Sequence, residues 1–174
     1  SFDGNAYTIS GLFINSGSTS NVGMFGRVSY GGTVQNIGIL DSYICGQSKV
    51  GGVTGENRGT VTNCYNSGTV VGSTFVGGVV GASSGTNTSL TNVSYCYNNG
   101  IVIGTSEAIG GVVGSNSNYS YIANCYNVGK VEGNNGYMVG GVVGKNLQDI
   151  SDCYNTGAVT GNYFVGGVVG NQFA

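Results

Sequence analysis

A five-residue motif, Gly-Gly-Val-x-Gly, recurs along this chain of 174 residues at nearly constant spacing. Successive copies begin at Val22 (a weaker copy), Gly51, Gly77, Gly110, Gly140 and Gly166. The intervals between them are 29, 26, 33, 30 and 26 residues. Self-similarity at such a period is the signature of a repeat architecture. Each block is therefore expected to form one structural unit that stacks on its neighbours.

Two further motifs lie between these copies. Asn-Cys-Tyr-Asn begins at Asn63 and Asn124, and variants of it begin at Tyr95 and Asp152. A short apolar segment follows each one, centred on Val70, Val102, Val131 and Val159. Short apolar, β-branched segments bounded by Gly and Asn predict strands. Helix is disfavoured because the chain has 35 Gly, each of which costs about 1 kcal/mol relative to Ala in a helix.

Three strands and three turns fit into each block, so one block predicts one triangular coil. We therefore expect an all-β fold, a parallel β-helix (β-solenoid) of about six coils with roughly 30 residues per coil. The crossover rule for parallel strands favours a right-handed coil. Strands that stack about 4.8 Å apart would give a rod of about 29 Å. We expect residues 1–174 to form a single domain.

Aligned blocks predict which residues face inward. One column holds Cys64, Cys96, Cys125 and Cys153, with Ile37 before them, and another holds Asn66, Asn98, Asn127 and Asn155, with Ile39 before them. Isoleucine at both positions indicates that both columns point inward, and the asparagines are expected to form a buried hydrogen-bonded ladder. Val70 and its equivalents would form a further inner column. Val61 lies three residues before Cys64, which breaks strand alternation and predicts a bend or bulge at Asn63 and its equivalents.

The cysteine column favours core packing, because free Cys behaves as a small buried hydrophobe. Disulfides between adjacent coils are the main alternative, because Cα atoms about 4.8 Å apart can be bridged. Zinc is not favoured, because the chain has no His and no Cys-x-x-Cys pair. Cys45 aligns with Val71, an outward position, and is expected to be an exposed free thiol. The Gly pairs are expected at a tight corner, where positive φ or close backbone approach excludes a Cβ.

Alternation also places one tyrosine column on the outer surface, with Gly38 as its counterpart in the earlier block. The column consists of Tyr65, Tyr97, Tyr126 and Tyr154. Stacked exposed rings could bind sugar rings or a protein partner, or they could only stabilise their cross-strand neighbours. We name these four residues the tyrosine stripe, and it is the one regular surface feature that predicts a binding site.

The chain lacks the groups that catalysis usually requires. There is no His, and the seven acidic residues occupy non-equivalent repeat positions, so no acid–base pair is visible. Asp152 replaces a motif Asn and is interpreted as a turn residue. We therefore expect no enzymatic activity, no cofactor and no metal. The net charge of −2 with five basic residues argues against nucleic acid, and no apolar run approaches a membrane span.

The blocks resemble the GLUG-motif repeats, on the evidence of Val76-Gly77-Gly78-Val79-Val80-Gly81 and Asn124-Cys125-Tyr126-Asn127. The opening segment, from Phe2 to Leu12, looks like the lead-in coil that often precedes them. The resemblance implies a part of a large bacterial surface or secreted protein, such as an adhesin-like protein or the non-catalytic part of an IgA-specific metallopeptidase. No peptidase activity is implied, because the zinc motif HExxH is absent. These repeats have Gly-Gly-Val where the family has Gly-Leu, a departure that leaves the predicted fold unchanged.

These observations predict a non-catalytic repeat module of a bacterial cell-surface or secreted protein, acting extracellularly as an adhesin or stalk scaffold. One alternative is a self-stacking subunit of an extracellular filament, since neither end shows the polar cap that solenoids usually have; an excised fragment would explain the same feature. Another alternative is a carbohydrate-binding module that uses the tyrosine stripe. The expected partners are a host or environmental glycan or protein, or other copies of the chain end to end, with no membrane insertion.

Overall fold

A computed structural model describes residues 1–173 as a β-solenoid without helices, in which every pairing between strands is parallel. The strands, in chain order, are β1 (Phe2–Ser10), β2 (Phe13–Val22), β3 (Phe25–Val28), β4 (Thr33–Leu40), β5 (Tyr43–Gly51), β6 (Thr54–Asn57), β7 (Thr60–Asn66), β8 (Thr69–Gly72), β9 (Thr74–Gly77), β10 (Val80–Ser84), β11 (Thr91–Ser94), β12 (Tyr97–Asn98), β13 (Ile101–Gly104), β14 (Glu107–Gly110), β15 (Val113–Ser117), β16 (Ser120–Ala123), β17 (Tyr126–Asn127), β18 (Val131–Gly133), β19 (Tyr137–Gly140), β20 (Val143–Asn146), β21 (Ile150–Ser151), β22 (Tyr154–Asn155), β23 (Val159–Thr160), β24 (Tyr163–Gly166) and β25 (Val169–Gln172).

The strands form six coils with three faces. Coils 1 to 6 span 2–28, 33–57, 60–84, 91–117, 120–146 and 150–172. The first face begins with β1, β4 and β7, the second with β2 and β5, and the third is a sheet of six strands, β3, β6, β10, β15, β20 and β25, one from each coil. The prediction of a parallel β-solenoid with about six coils is confirmed. The hand of the coil and the extent of the domain stay predictions.

Successive coils lie in register, so that like residues contact like. Ile37 pairs with Cys64, and Tyr97 pairs with both Tyr65 and Tyr126. The predicted inner columns are confirmed, since Val70 and its equivalents in coils 4 and 5 are completely buried, as are Val61, Val93 and Ile122. The interior is therefore a set of apolar and amide columns that run along the solenoid axis.

A left-handed residue bends the first face of each coil from the second onward. The φ angles are 57° at Asn36, 51° at Asn63, 53° at Tyr95, 53° at Asn124 and 51° at Asp152. Asn and Asp tolerate this conformation better than most residues, because their short polar side chains hydrogen-bond locally. The predicted bend at Asn63 and its equivalents is confirmed, and so is the interpretation of Asp152 as a turn residue.

The glycine motif lies where two backbones approach each other closely. A Cβ added at Gly78 would clash with the backbone carbonyl oxygen of Gly111 in the next coil, and one added at Gly81 would lie 2.5 Å from the carbonyl carbon of Lys49. Among the described glycines, only Gly11 and Gly31 have positive φ. Close approach, rather than positive φ, is therefore the reason that the motif excludes side chains.

Candidate binding surface

The tyrosine stripe is a continuous stack of parallel rings on the first face. Ring centroids lie 4.7 Å apart between Tyr65 and Tyr97, 4.9 Å between Tyr97 and Tyr126, and 5.0 Å between Tyr126 and Tyr154. Adjacent ring planes differ by only 3–4°. This spacing equals the distance between stacked strands, so the register of the coils alone fixes the stack.

Gly38 leaves room for the ring of Tyr65, the first ring of the stack. It pairs with Tyr65, and a Cβ at Gly38 would lie 2.5 Å from Cε1 of that ring. At this end the stripe borders a cavity of about 180 Å³, which is lined by Ala6, Tyr7, Asn36, Ile37, Gly38, Asn63, Tyr65 and Tyr97. The ring of Tyr65 thus packs against the backbone of coil 2 at Gly38, where there is no side chain.

The stacking of the rings determines which parts of each tyrosine a ligand can contact. Tyr97 and Tyr126 are half-buried and have neighbouring rings on both faces, whereas Tyr154 is 53% exposed. Sugar rings usually pack on the flat face of an aromatic ring, and that face is covered in the middle of the stripe. The surface presented there is a row of ring edges and hydroxyl groups, with open faces only at the ends of the stack.

The hydroxyls of the middle rings stay protonated into the alkaline range. Burial raises the pKa of Tyr97, and its neighbours Tyr65 and Tyr126 raise it further. Burial and the neighbouring Tyr154 raise the pKa of Tyr126 in the same way. At neutral pH Tyr97 and Tyr126 therefore offer neutral hydroxyls, which both donate and accept hydrogen bonds.

The predicted asparagine ladder lies directly behind the stripe and is confirmed. The amide nitrogen of Asn66 donates to Oδ1 of Asn98 at 2.8 Å, and the same bond links Asn98 to Asn127 and Asn127 to Asn155. Each amide also binds its own turn, as in Asn98, which donates to the carbonyl of Gly100 and accepts from its N–H. The ladder fixes the corner from which the tyrosine side chains project.

All five cysteines in the described chain are free, and four of them form the predicted inner column. The thiols of Cys64, Cys96 and Cys125 each donate to the backbone carbonyl two residues earlier, at 3.2 Å. Burial raises the pKa of the fully buried Cys96, which keeps it as an unreactive thiol. Cys45 pairs with Val71 as predicted, but it is half-buried, so the expectation of an exposed thiol was too strong.

Sequence reasoning missed a buried carboxylate on the third face. Glu56 is 3% exposed and pairs with Lys49 at 2.7 Å, with Arg58 at 3.1 Å and with Arg27. Burial alone would raise the pKa of Glu56, but the three cations outweigh it and hold that pKa below its usual range. Glu56 therefore stays ionised near neutral pH and is not suited to donate a proton. Lys49 and Arg58 are near Glu56 in the sequence, but Arg27 lies 29 residues away, and no other coil repeats this set of charges.

The described residues contain no group of three or more His, Cys, Asp or Glu side chains that could hold a metal ion. Within residues 1–173, no helix is long and apolar enough to cross a membrane.

Comparison with known proteins matches two segments of the chain to a family of repeats. The model of the GLUG motif matches residues 105–132 and 135–160. Halomucin of Haloquadratum walsbyi is 36% identical over 73 residues, which are 42% of this chain and 1% of that protein. A protein of Evansella cellulosilytica, provisionally named a Gly-rich membrane protein, is 36% identical over 64 residues, which are 35% of this chain and 7% of that protein. The chain thus spans only a small part of either relative.

A solved structure shares the fold. It belongs to a protein from Bacteroides ovatus that is provisionally named an immunoglobulin A1 protease. The TM-score is 0.70 at 20% sequence identity, and the match covers 94% of this chain and 58% of the other. At this identity the likeness shows the architecture alone. This chain is therefore a β-solenoid, and its segments 105–132 and 135–160 match the GLUG motif.

Proposed function

We propose that the chain is a non-catalytic stalk module of a surface or secreted protein, which holds other parts of that protein away from the cell. The observation that supports this most directly is the parallel stacking of six coils, with columns of valine, cysteine and asparagine inside. Each coil buries its inner face only against its neighbours. The chain therefore makes a stiff spacer whose length increases by about 4.8 Å with each added coil.

The relatives support an extracellular or cell-surface location. One is named halomucin and the other a Gly-rich membrane protein, and the chain matches a small segment of each. A segment that forms a small fraction of a long surface protein suits a spacer. Such a module needs no cofactor, and the ionised, fully paired Glu56 fits a role without acid–base chemistry.

Surface display tests the stalk directly. The chain would be placed between a cell-wall anchor and a terminal epitope, alongside versions that carry two extra coils or lack coils 4 and 5. The expected result is that antibody access to the epitope through the surface polysaccharide layer increases with coil number. Access that does not change with coil number would contradict the stalk, and cells that adhere to mucin-coated plates only when they display the chain would indicate an adhesin.

The tyrosine stripe is a second candidate, as a contact surface for a glycan or protein partner. Its regular row of hydroxyls and ring edges favours this role. Glycan or mucin binding should fall about tenfold or more in Tyr97→Phe with Tyr126→Phe, which removes the hydroxyls and keeps the stack. If the double variant binds as the parent does, the stripe is only a structural element. Stacking of copies end to end stays a prediction.

A further inference from the structure

The corner between the third and first faces bears a cavity that the repeat pattern does not explain. It spans coils 4, 5 and 6, has a volume of about 320 Å³, and is lined by Leu90, Thr91, Tyr119, Ser120, Tyr121, Gln148 and Asp149. This volume falls at the lower end of the range for small-ligand sites. The tyrosine stripe lies at a different position on the first face and contributes no residue to the cavity.

One wall of the cavity comes from an irregular connection. Six residues, 85–90, connect β10 to β11 at this corner. The equivalent connections have only two residues before coil 5 and three before coil 6. The extra segment makes a small turn in which Thr86 bridges Ser89, and it ends at Leu90, which is 74% exposed. This long connection thus places the exposed apolar side chain of Leu90 beside the cavity.

A second wall depends on unfavourable backbone geometry. Asn118 and Tyr119 connect β15 to β16 and have φ angles of 44° and 53°. The equivalent connections in the neighbouring coils, 85–90 and 147–149, contain no residue with a positive φ. The left-handed conformation is costly for a tyrosine. Left-handed residues also form the regular bends of the coils, as at Tyr95, but at this corner Asn118 and Tyr119 are the only described non-glycine residues with this conformation. The ring of Tyr119 is exposed, and Tyr119 and the neighbouring Tyr121 are 52% and 45% exposed.

Polar groups face these rings from coil 6. Asp149 is exposed and takes part in none of the ion pairs among the described residues. The amide nitrogen of Gln148 donates to the carbonyl of Leu147 at 2.6 Å, which leaves its oxygen free as an acceptor. The hydroxyl of Tyr121 is fixed by a 2.8 Å hydrogen bond to Ser151. A carboxylate, an amide oxygen and two aromatic rings therefore surround one small cavity.

We propose that this corner, which we name the corner site, binds one neutral sugar ring at the end of a glycan. Tyr119 and Tyr121 would pack on the apolar C–H face of the ring, and Asp149 and Gln148 would accept hydrogen bonds from its hydroxyls. No cation lines the cavity, so an acidic sugar would meet only the repulsion of Asp149. The proposal does not depend on the stalk role, because a spacer requires no ligand.

An array of glycans that end in glucose, galactose, mannose or N-acetylglucosamine, with sialylated and uronic-acid glycans beside them, would identify the ligand. Titration calorimetry with the best neutral glycan would follow. We expect Tyr119→Asn and Asp149→Asn each to weaken binding at least about tenfold. Asparagine suits the left-handed backbone, so the first of these variants removes the ring without adding strain.

Tyr163→Ala is the matched control, since this tyrosine is 69% exposed on the second face and lies outside the corner site. It should bind as the parent does, and thermal unfolding should show Tyr119→Asn to be at least as stable as the parent. The proposal is overturned if no neutral glycan binds at ~10 mM, a concentration well above a weak single-site Kd. It is equally overturned if binding survives both corner substitutions, or if acidic glycans bind better than neutral ones.

Discussion

Replacing Gly111 with alanine is expected to separate coil 4 from coil 5 and to destabilise the chain by roughly 4 kcal/mol or more. The new Cβ would lie 2.5 Å from Cγ of Asn127, and closer still to the carbonyl oxygen of Gly141. The oxygen belongs to the backbone of the next coil and the amide belongs to the asparagine ladder. Neither can move without breaking hydrogen bonds between coils, such as that from Val112 N to Val142 O at 2.9 Å.

Gly167 provides the matched control for this prediction. It occupies the same motif position in coil 6, and a Cβ added there would have no atom within 4 Å. Gly167→Ala should therefore stabilise the chain by about 0.4–1 kcal/mol, because alanine restricts the unfolded chain without a clash in the folded one. Urea unfolding would give both effects, and amide hydrogen exchange at Val112 and Val142 would locate the first. Equal stability of the two variants would contradict close approach as the reason for the motif.

The periodic part of the fold could be predicted because stacking makes each column report the same environment several times. Isoleucine at positions 37 and 39 indicated that the cysteine and asparagine columns face inward, and both columns are buried in coils 3 to 5. The broken alternation before Cys64 predicted the bend at Asn63. The repeats of this one chain thus allowed a comparison of equivalent positions that ordinarily requires several related sequences.

Other features of the structure were not predicted, either because the repeat is interrupted there or because the residue types do not indicate the backbone conformation. A second bend precedes each Gly-Gly pair, with positive φ at Lys49, Phe75, Ala108, Met138 and Phe164, and nothing in these residue types predicts it. A second amide column on the third face links Asn116, Asn146 and Gln172 at 2.7 Å. Its signal was present as an Asn two residues after the motif, but Ser83 interrupts the column.

The corner site could not be predicted for a related reason. It depends on an insertion that occurs once and on left-handed residues at Asn118 and Tyr119. The tyrosine stripe, by contrast, was placed correctly because it repeats, although its face-to-face stacking limits what it can bind. In a solenoid, repetition reveals the scaffold, and the interruptions of the repeat are the places to search for specific binding.

Replacing Asn98 with alanine is expected to cost roughly 3–6 kcal/mol of stability, because it interrupts the asparagine ladder at its centre. Asn98 is completely buried and makes four side-chain hydrogen bonds, two with Gly100 and one each with Asn66 and Asn127. Its removal leaves the Gly100 N–H and Oδ1 of Asn127 without partners in the core, and the Asn66 amide nitrogen loses one of its two acceptors and keeps only the carbonyl of Gly68. Each unsatisfied buried group costs about 1–3 kcal/mol. Urea unfolding would measure the loss.

Two further variants separate hydrogen bonding from packing. Asn99→Ala makes the same chemical change at an exposed neighbour and should alter stability by less than about 0.5 kcal/mol. Asn98→Ile restores the volume with the residue that coil 2 has at this position, Ile39, but leaves the same three groups without their hydrogen bonds to Asn98. We therefore expect Asn98→Ile to remain nearly as unstable as Asn98→Ala. If isoleucine restores most of the lost stability, the column acts through packing, and the amide ladder is not what holds the corner together.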